Sequence, residues 1–259
     1  MIGPRQRGRN ILIRVWIPVA LLACWEILVR SGILNPVLFP PPSKLLAASA
    51  SMIASGELTT HFRFSLTRLV AGLAIGAGAG LFCGLGMGAW RSAARSLEFI
   101  VSALYSTPKL TLLPVVMLLV GVGEQAGIIL IAVASFSMMA IHCLDAVRNL
   151  NRAYVDLAVN YGADRKAVFF KVYLPGCLPQ IFTGFRLATG RALVMTVSVE
   201  MIIASNGLGS MIWNAWQNFR PEKLYVAVAV VAGTGALFHY ALLWFERTLA
   251  PWKAIGERA

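Results

Sequence analysis

Charge is scarce in this 259-residue chain: Asp, Glu, Lys and Arg supply 13% of it, about half the share found in a soluble domain. Acid is scarcer still, with 11 Asp and Glu against 23 Lys and Arg. No long stretch is polar enough to house a soluble catalytic domain. Histidine is nearly absent, at three residues, and there is neither a His-Glu-x-x-His nor a Gly-x-Ser-x-Gly, which removes the membrane-embedded hydrolase reading. The four cysteines, Cys24, Cys83, Cys143 and Cys177, stand far apart in or beside apolar stretches. They read as small hydrophobes, with neither a disulfide nor a metal indicated. The net charge of +12 comes without interleaved aromatics, so it does not point to nucleic acid.

What fills the chain instead is apolar: 58% of residues are hydrophobic. With spans of about 20 residues, five to seven helices fit, and the breaks place six. Arg5, Arg7, Arg9 and Arg14 precede an apolar run to Val29. That run is too long for a signal peptide's core and ends without a small-residue cleavage site, so it reads as a retained first span. Pro36 and Pro40-Pro41-Pro42 forbid regular helix. Ser43 is expected to cap an external, interfacial helix over about 44–55. The second span, about 69–90, repeats Gly72, Gly76, Gly80, Gly84 and Gly88 at four-residue spacing. Such a groove admits a neighbouring helix closely, either as simple tight packing or as a sliding interface. A loop with Arg91 and Arg95 is expected next. A third span over about 99–120 is interrupted by Thr107-Pro108-Lys109 and Pro114, and a fourth covers about 126–143. A fifth lies near 181–205. An outer loop with Trp213 and Trp216 reaches about Lys223, and a sixth span covers about 224–245.

Between the fourth and fifth spans lies a polar segment punctuated by Gly and Pro, Asp156 to Leu187. Leu150, Tyr154, Leu157 and Tyr161 recur at three and four residues, an apolar stripe on a short helix. Gly162 suits the helix end. Asp164 suits the cap of a second helix through Phe170, which Leu174-Pro175 is expected to stop. The stripe either packs back on the bundle or fills a groove on another protein. Basic residues concentrate on the face that would carry this segment, with Arg148, Arg152, Arg165, Lys166, Lys171, Arg247, Lys253 and Arg258 beside the N-terminal arginines. The charge rule therefore puts it, and both termini, in the cytoplasm.

The segment resembles the cytoplasmic signature of ABC-importer permeases: Glu-Ala-Ala, three residues, Gly, nine residues, an aliphatic residue, one more, then Leu-Pro. Here Gly162 is followed by nine residues and then Val172-Tyr173-Leu174-Pro175. Leu38 to Ser43, Pro108-Lys109 with Pro114, Gly184-Phe185-Arg186-Leu187, and Glu200 with Gly207-Leu208-Gly209 extend the likeness. These resemble permeases of nitrate, sulfonate and taurine importers, a group that also serves thiamine-pyrimidine precursors. One departure stands out: Asp156-Leu157-Ala158 replaces Glu-Ala-Ala, a shorter acid and a bulkier neighbour. The resemblance implies an all-α type I importer permease, one transmembrane domain over 1–259 with a family core over about 58–250. It implies no covalent chemistry and no cofactor on this chain, with ATP and Mg on two cytoplasmic ATPase subunits. A second copy of the permease would complete the pore in the bacterial inner membrane, and an extracytoplasmic solute-binding protein would deliver the solute. Tyr154, Asp156, Leu157, Ala158, Tyr161, Gly162 and Ala163 are the expected ATPase-coupling surface. Arg165 and Lys166 read equally as headgroup-facing charges or partner contacts.

Polar groups at membrane depth mark a pathway or a pairing role. The candidates are Thr107, Lys109 and Thr111 in the third span and Thr196, Ser198 and Glu200 in the fifth. Lys109 suits an anionic solute, an ion pair with Glu200, or snorkelling to headgroups. His142 and His239, near span ends, read as structural. The alternative function is an ion-coupled secondary transporter, against which stand the lack of an internal repeat and the scarcity of intramembrane carboxylates beyond Glu200 and Glu26.

Overall fold

The glycine ladder sets where the core lies. The computed structural model describes residues 4–249, with side chains from residue 16 onward apart from that of Arg91. Lys253 and Arg258, expected on the basic face, lie outside the described residues. Helix α3 (Glu57–Ala89) rests on α6 (Glu124–Arg148) along the face bearing the ladder. A methyl group at Gly76 would strike the backbone carbonyl of Ala132. One at Gly80 would stand 2.6 Å from the Phe136 carbonyl oxygen, and one at Gly88 would strike the Val147 side chain. Only hydrogen fits such an approach, so tight packing is what the repeat achieves. Gly78, off this seam, has open space around it. Helix α9 (Leu174–Ile203) closes the core, with Ala188, Ala192 and Val199 against Leu69, Leu130 and Ile131.

Around this seam run α1 (Pro4–Arg30), α2 (Pro42–Ala54), α4 (Arg91–Ser106), α5 (Leu113–Val120), α7 (Arg152–Asn160), α8 (Arg165–Val168), α10 (Leu208–Gln217) and α11 (Pro221–Leu249). No strand occurs among the described residues. Helices α3, α6 and α11 are each long and apolar enough to cross a membrane, and two bent pairs raise the total to five. Helix α1 has 27 residues, about 40 Å at 1.5 Å per residue, more than a hydrocarbon core of about 30 Å. Among the described residues, then, three to five helices meet both criteria and α1 meets the length alone, against the six spans expected. The two ends of the bundle differ: α7 and α8 lie at one, α2 and α10 at the other.

Several expectations need correction. No loop follows α3; Trp90 alone, in extended conformation, separates it from α4. The third span is not one kinked rod. Pro108 forces Thr107 to ψ 133°, a 3-10 turn (Lys109–Leu112) follows, and the two halves meet at 100°. Ser43 does not cap α2. Pro41 occupies that position, and Glu26 of α1 accepts from the Ser43 N–H at 3.0 Å and from its hydroxyl at 2.7 Å. Leu174-Pro175 does not stop a helix. A π-turn over Phe169–Tyr173 joins α8 to α9, and its wider hydrogen-bond ring tolerates the N–H that proline lacks. The outer loop is mostly helix α10, whose Trp213 and Trp216 rings lie 5.0 Å apart.

The seam predicts an asymmetric response to substitution. Gly76→Val should destabilise the chain by about 1–3 kcal/mol through overpacking and lower its thermal midpoint in detergent. Gly78→Ala, facing open space, should leave that midpoint unchanged.

Candidate coupling surface and translocation face

Helix α7 is bounded by two strong signals. Asn151 accepts from the Ala153 N–H at 3.0 Å, which caps its start. Gly162, at φ +80°, ends it, with the Gly162 and Ala163 N–H groups donating to the Val159 and Ala158 carbonyls. Asp164 caps α8 as expected, accepting from Ala167 N–H at 2.8 Å. Asn151 was not foreseen, although Asn ahead of an amphipathic run is a readable cap. Leu150, expected in the stripe, precedes the helix and packs on Gly176.

The rest of the stripe does not pack back on the bundle. Tyr154 is 59% exposed, Leu157 56% and Tyr161 85%. Asp156 and Gly162 are exposed too, whereas Ala158 and Ala163 are half-buried. On its other side α7 turns Val155 and Val159 toward an open groove of about 1200 Å³. Trp90, Phe169 and Tyr173 also line it, and Trp90 stacks on Phe169 at 6.0 Å. Helix α7 is thus an apolar projection held by its ends.

At the opposite end, a buried polar cluster fixes the α9–α10 bend. Arg68, 4% exposed, donates through Nη1 to Glu200 at 2.7 Å and through Nε to Glu124 at 2.8 Å. The Ser65 hydroxyl lies 2.7 Å from Glu200 Oε2 and accepts from the Leu208 N–H at 2.7 Å. Gly209 N–H donates to Glu200 at 2.9 Å. Gly207, at φ +128°, has room only for hydrogen, since a Cβ there would collide with the Glu200 carboxylate. Four helices therefore meet on one carboxylate and one guanidinium. Of the readings kept open for Lys109, the ion pair with Glu200 does not form: Lys109 donates to the Tyr105 carbonyl at 2.6 Å and sits over the Tyr105 ring. Arg68 and Ser65 are absent from the candidates that the sequence offered. Their spacing of three residues on one helix face, alongside the ladder, was the available signal.

The remaining pathway candidates divide. The hydroxyls of Thr107, Thr111, Thr196 and Ser198 all donate to carbonyls of their own helices or turns, Ala103, Pro108, Ala192 and Val194. Thr196 and Glu200, each 1% exposed, lie inside the α3–α6–α9 core. Ser198 borders an open recess of about 390 Å³ with Leu110, Ile202 and Trp213. In the Gly184-Phe185-Arg186-Leu187 run, Gly184 lets α9 pack against His142. Arg186 pairs with Glu246 of α11 at 3.0 Å. Cys143 and Cys177 are buried in the core, whereas Cys24 is exposed on α1. No group of three or more His, Cys, Asp or Glu side chains able to hold a metal occurs among the described residues.

An all-helical bundle with broken spans, an enclosed charge cluster at one end and a capped projecting helix at the other defines a membrane transport subunit. The chain belongs to the family described as binding-protein-dependent transport system inner membrane component, which it matches over residues 76–253. It is 32% identical to the putative aliphatic sulfonates transport permease protein SsuC of Escherichia coli (strain K12), over 92% of this chain and 90% of that one. With the taurine transport system permease protein TauC of the same organism it shares 29% identity, over 95% and 91%. Its fold matches a chain from inward-facing conformations of the MetNI methionine ABC transporter. There the TM-score is 0.66 at 18% identity, covering 72% of this chain and 93% of that one.

The cluster predicts graded losses. Arg68→Ala leaves the buried Glu200 carboxylate without its cation and should cost about 3–5 kcal/mol, read as a large fall in the thermal midpoint or loss of the folded protein. Ser65→Ala should cost about 1–3 kcal/mol. Ser198→Ala, on the open recess, should change the midpoint little.

Proposed function

We propose that this chain is the transmembrane permease subunit of an ATP-binding-cassette importer, moving a small solute inward by alternating access. The observation that carries this reading is the exposed stripe of Tyr154, Leu157 and Tyr161 on a helix rigidly capped at both ends. A soluble protein surface is the natural cover for such a stripe, as amphipathic helices fill grooves on their partners. Two cytoplasmic ATPase subunits, which carry ATP and Mg, each grip one α7–α8 element through Tyr154, Asp156, Leu157, Ala158, Tyr161, Gly162 and Ala163. Two copies of the chain form the pore, and an extracytoplasmic solute-binding protein delivers the solute to the α10 end. Closure of the ATPases draws the two elements together and shifts the pore toward its outward-open state. That coupling requires the ATPases to bind the two pore states with different affinity.

Sidedness follows from charge. Arg95, Arg148, Arg152, Arg165, Lys166, Lys171 and Arg247 gather toward the α7–α8 end, which favours a cytoplasmic position for it and for both termini in the bacterial inner membrane. A small anion, such as an aliphatic sulfonate, taurine or nitrate, is the favoured cargo, with a pyrimidine precursor as the uncharged alternative. The relatives named for aliphatic sulfonates and taurine support the anion. Thr107, Lys109, Thr111 and Ser198 line the pathway, while Thr196 and Glu200 brace its wall from behind.

The coupling assignment is tested by substituting the turn. Proline cannot adopt φ +80°, so Gly162→Pro should leave the chain in the membrane while abolishing co-purification of a co-expressed partner ATPase. Leu157→Ala should weaken that association by about 2 kcal/mol, roughly thirtyfold, if Leu157 is a central contact. Full retention of the ATPase by both variants would remove α7 as the coupling element.

A further inference from the structure

All seven glutamates among the described residues are already engaged. Glu26 pairs with Arg30, Glu57 with Lys223, Glu98 with Arg148, Glu124 and Glu200 with Arg68, Glu222 with Lys44, and Glu246 with Arg186. Two cations in the spanning part of the fold are left without a carboxylate. One is Lys109, held only by the carbonyl and ring of Tyr105 at the break of the third span. The other is Arg191, exposed near the middle of α9, whose side chain makes no hydrogen bond or ion pair with any described residue. Leu110, next to Lys109 in sequence, lines one recess together with Ser198 and Ile202 of α9. No carboxylate among the described residues pairs with either of these two like charges.

Helical geometry says which way Arg191 looks. Ser198 follows it by seven residues, two turns on, and Ile202 by eleven, so the three share a face to within about 20°. Val194 borders that face and is 67% exposed. Glu200 stands nine residues from Arg191, half a turn around the helix, on the side buried against α3 and α6. The open face of α9 therefore carries Arg191 at mid-depth and Ser198 beside the recess about 10 Å further along. An ionised group at that depth faces a partner or a water-filled passage, and the described residues supply no carboxylate partner.

We infer that Lys109 and Arg191 form an anion-binding station midway along the translocation pathway, where a small oxyanion of the sulfonate class supplies the missing negative charge. Arg191 presents a planar fork that matches two oxygens of such a group, and Lys109 adds a compact charge from the break of the third span. Neither side chain needs to break an existing ion pair to receive the solute. The station rests on the permease reading above and narrows its cargo to anions.

Accessibility chemistry tests it without a known substrate. In the full chain in membrane vesicles, with Cys24→Ser to remove the exposed thiol, a Ser198→Cys variant is treated with two water-soluble thiol reagents. One is the anionic sulfonatoethyl methanethiosulfonate, the other the cationic trimethylammonium-ethyl analogue, and the parent without Ser198→Cys gives the background. With Lys109 and Arg191 present, the ratio of anionic to cationic reaction rates should be high. Arg191→Gln with Lys109→Gln should lower it about tenfold or more, and Arg191→Lys should preserve most of it. Lys109→Gln alone gives a partial fall and keeps the test valid should the double variant fail to insert. Reaction at position 198 with a ratio indifferent to these charges overturns the station while leaving a passage in place. A cysteine that neither reagent reaches overturns the passage itself, and the station with it.

Discussion

In a bilayer no water is available to satisfy a backbone N–H or carbonyl, so every interruption of a helix must carry its own hydrogen-bonding solution. This constraint explains more of the molecule than any single contact. At Pro108 the solution is a 3-10 turn, with the Thr107 and Thr111 hydroxyls donating to nearby carbonyls. Before Pro175 it is a π-turn that lets α8 run into α9. At the α9–α10 bend it is Glu200, Ser65 and Arg68, which take up the Leu208 and Gly209 N–H groups and the Asn206 carbonyl. Each break sits where a transporter needs a change of direction, and each is closed chemically.

The α3–α6–α9 seam and the Arg68 cluster work together. Glycine brings two backbones close enough that α3 cannot tilt without collision, and the cluster then pins the α10 end of the same three helices. The seam is apolar and gains from dispersion over many small contacts. The cluster is charged, and its stability depends on complete pairing inside a medium that punishes an unpaired group. Opposite ends of the bundle are consequently unlike: one is locked by ion pairs, while the other presents a short helix anchored only through its caps.

Much of this was legible in the residues. The glycine spacing announced a close helix pair, Gly162 and Asp164 announced a helix-turn-helix, and the paucity of charge announced the bilayer. Local errors arose where proline was read as a stop. Pro108 does break its helix, because nothing downstream can rebuild the donor pattern before the 3-10 turn. Pro175 does not, since a π-turn upstream had already widened the ring into which its missing N–H would have bonded. The Trp213–Trp216 segment was read as loop because its flanking Gly and Asn signals outweighed a short amphipathic run. Docking on α3 and α9 made it helical.

Sequence by itself determined the class of solvent, the all-helical architecture and the family signature, because these depend on composition and on spacing along one chain. Tertiary structure alone decided the pairing of charges. Glu200 had several cations within plausible reach, and only the approach of α3 along its glycines brought Arg68 to it instead of Lys109. With Glu200 held by Arg68, Lys109 has no carboxylate partner among the described residues. The physical reason is that an ion pair is a relation in three dimensions, set by which helix faces meet, whereas a turn or a span is written in consecutive residues.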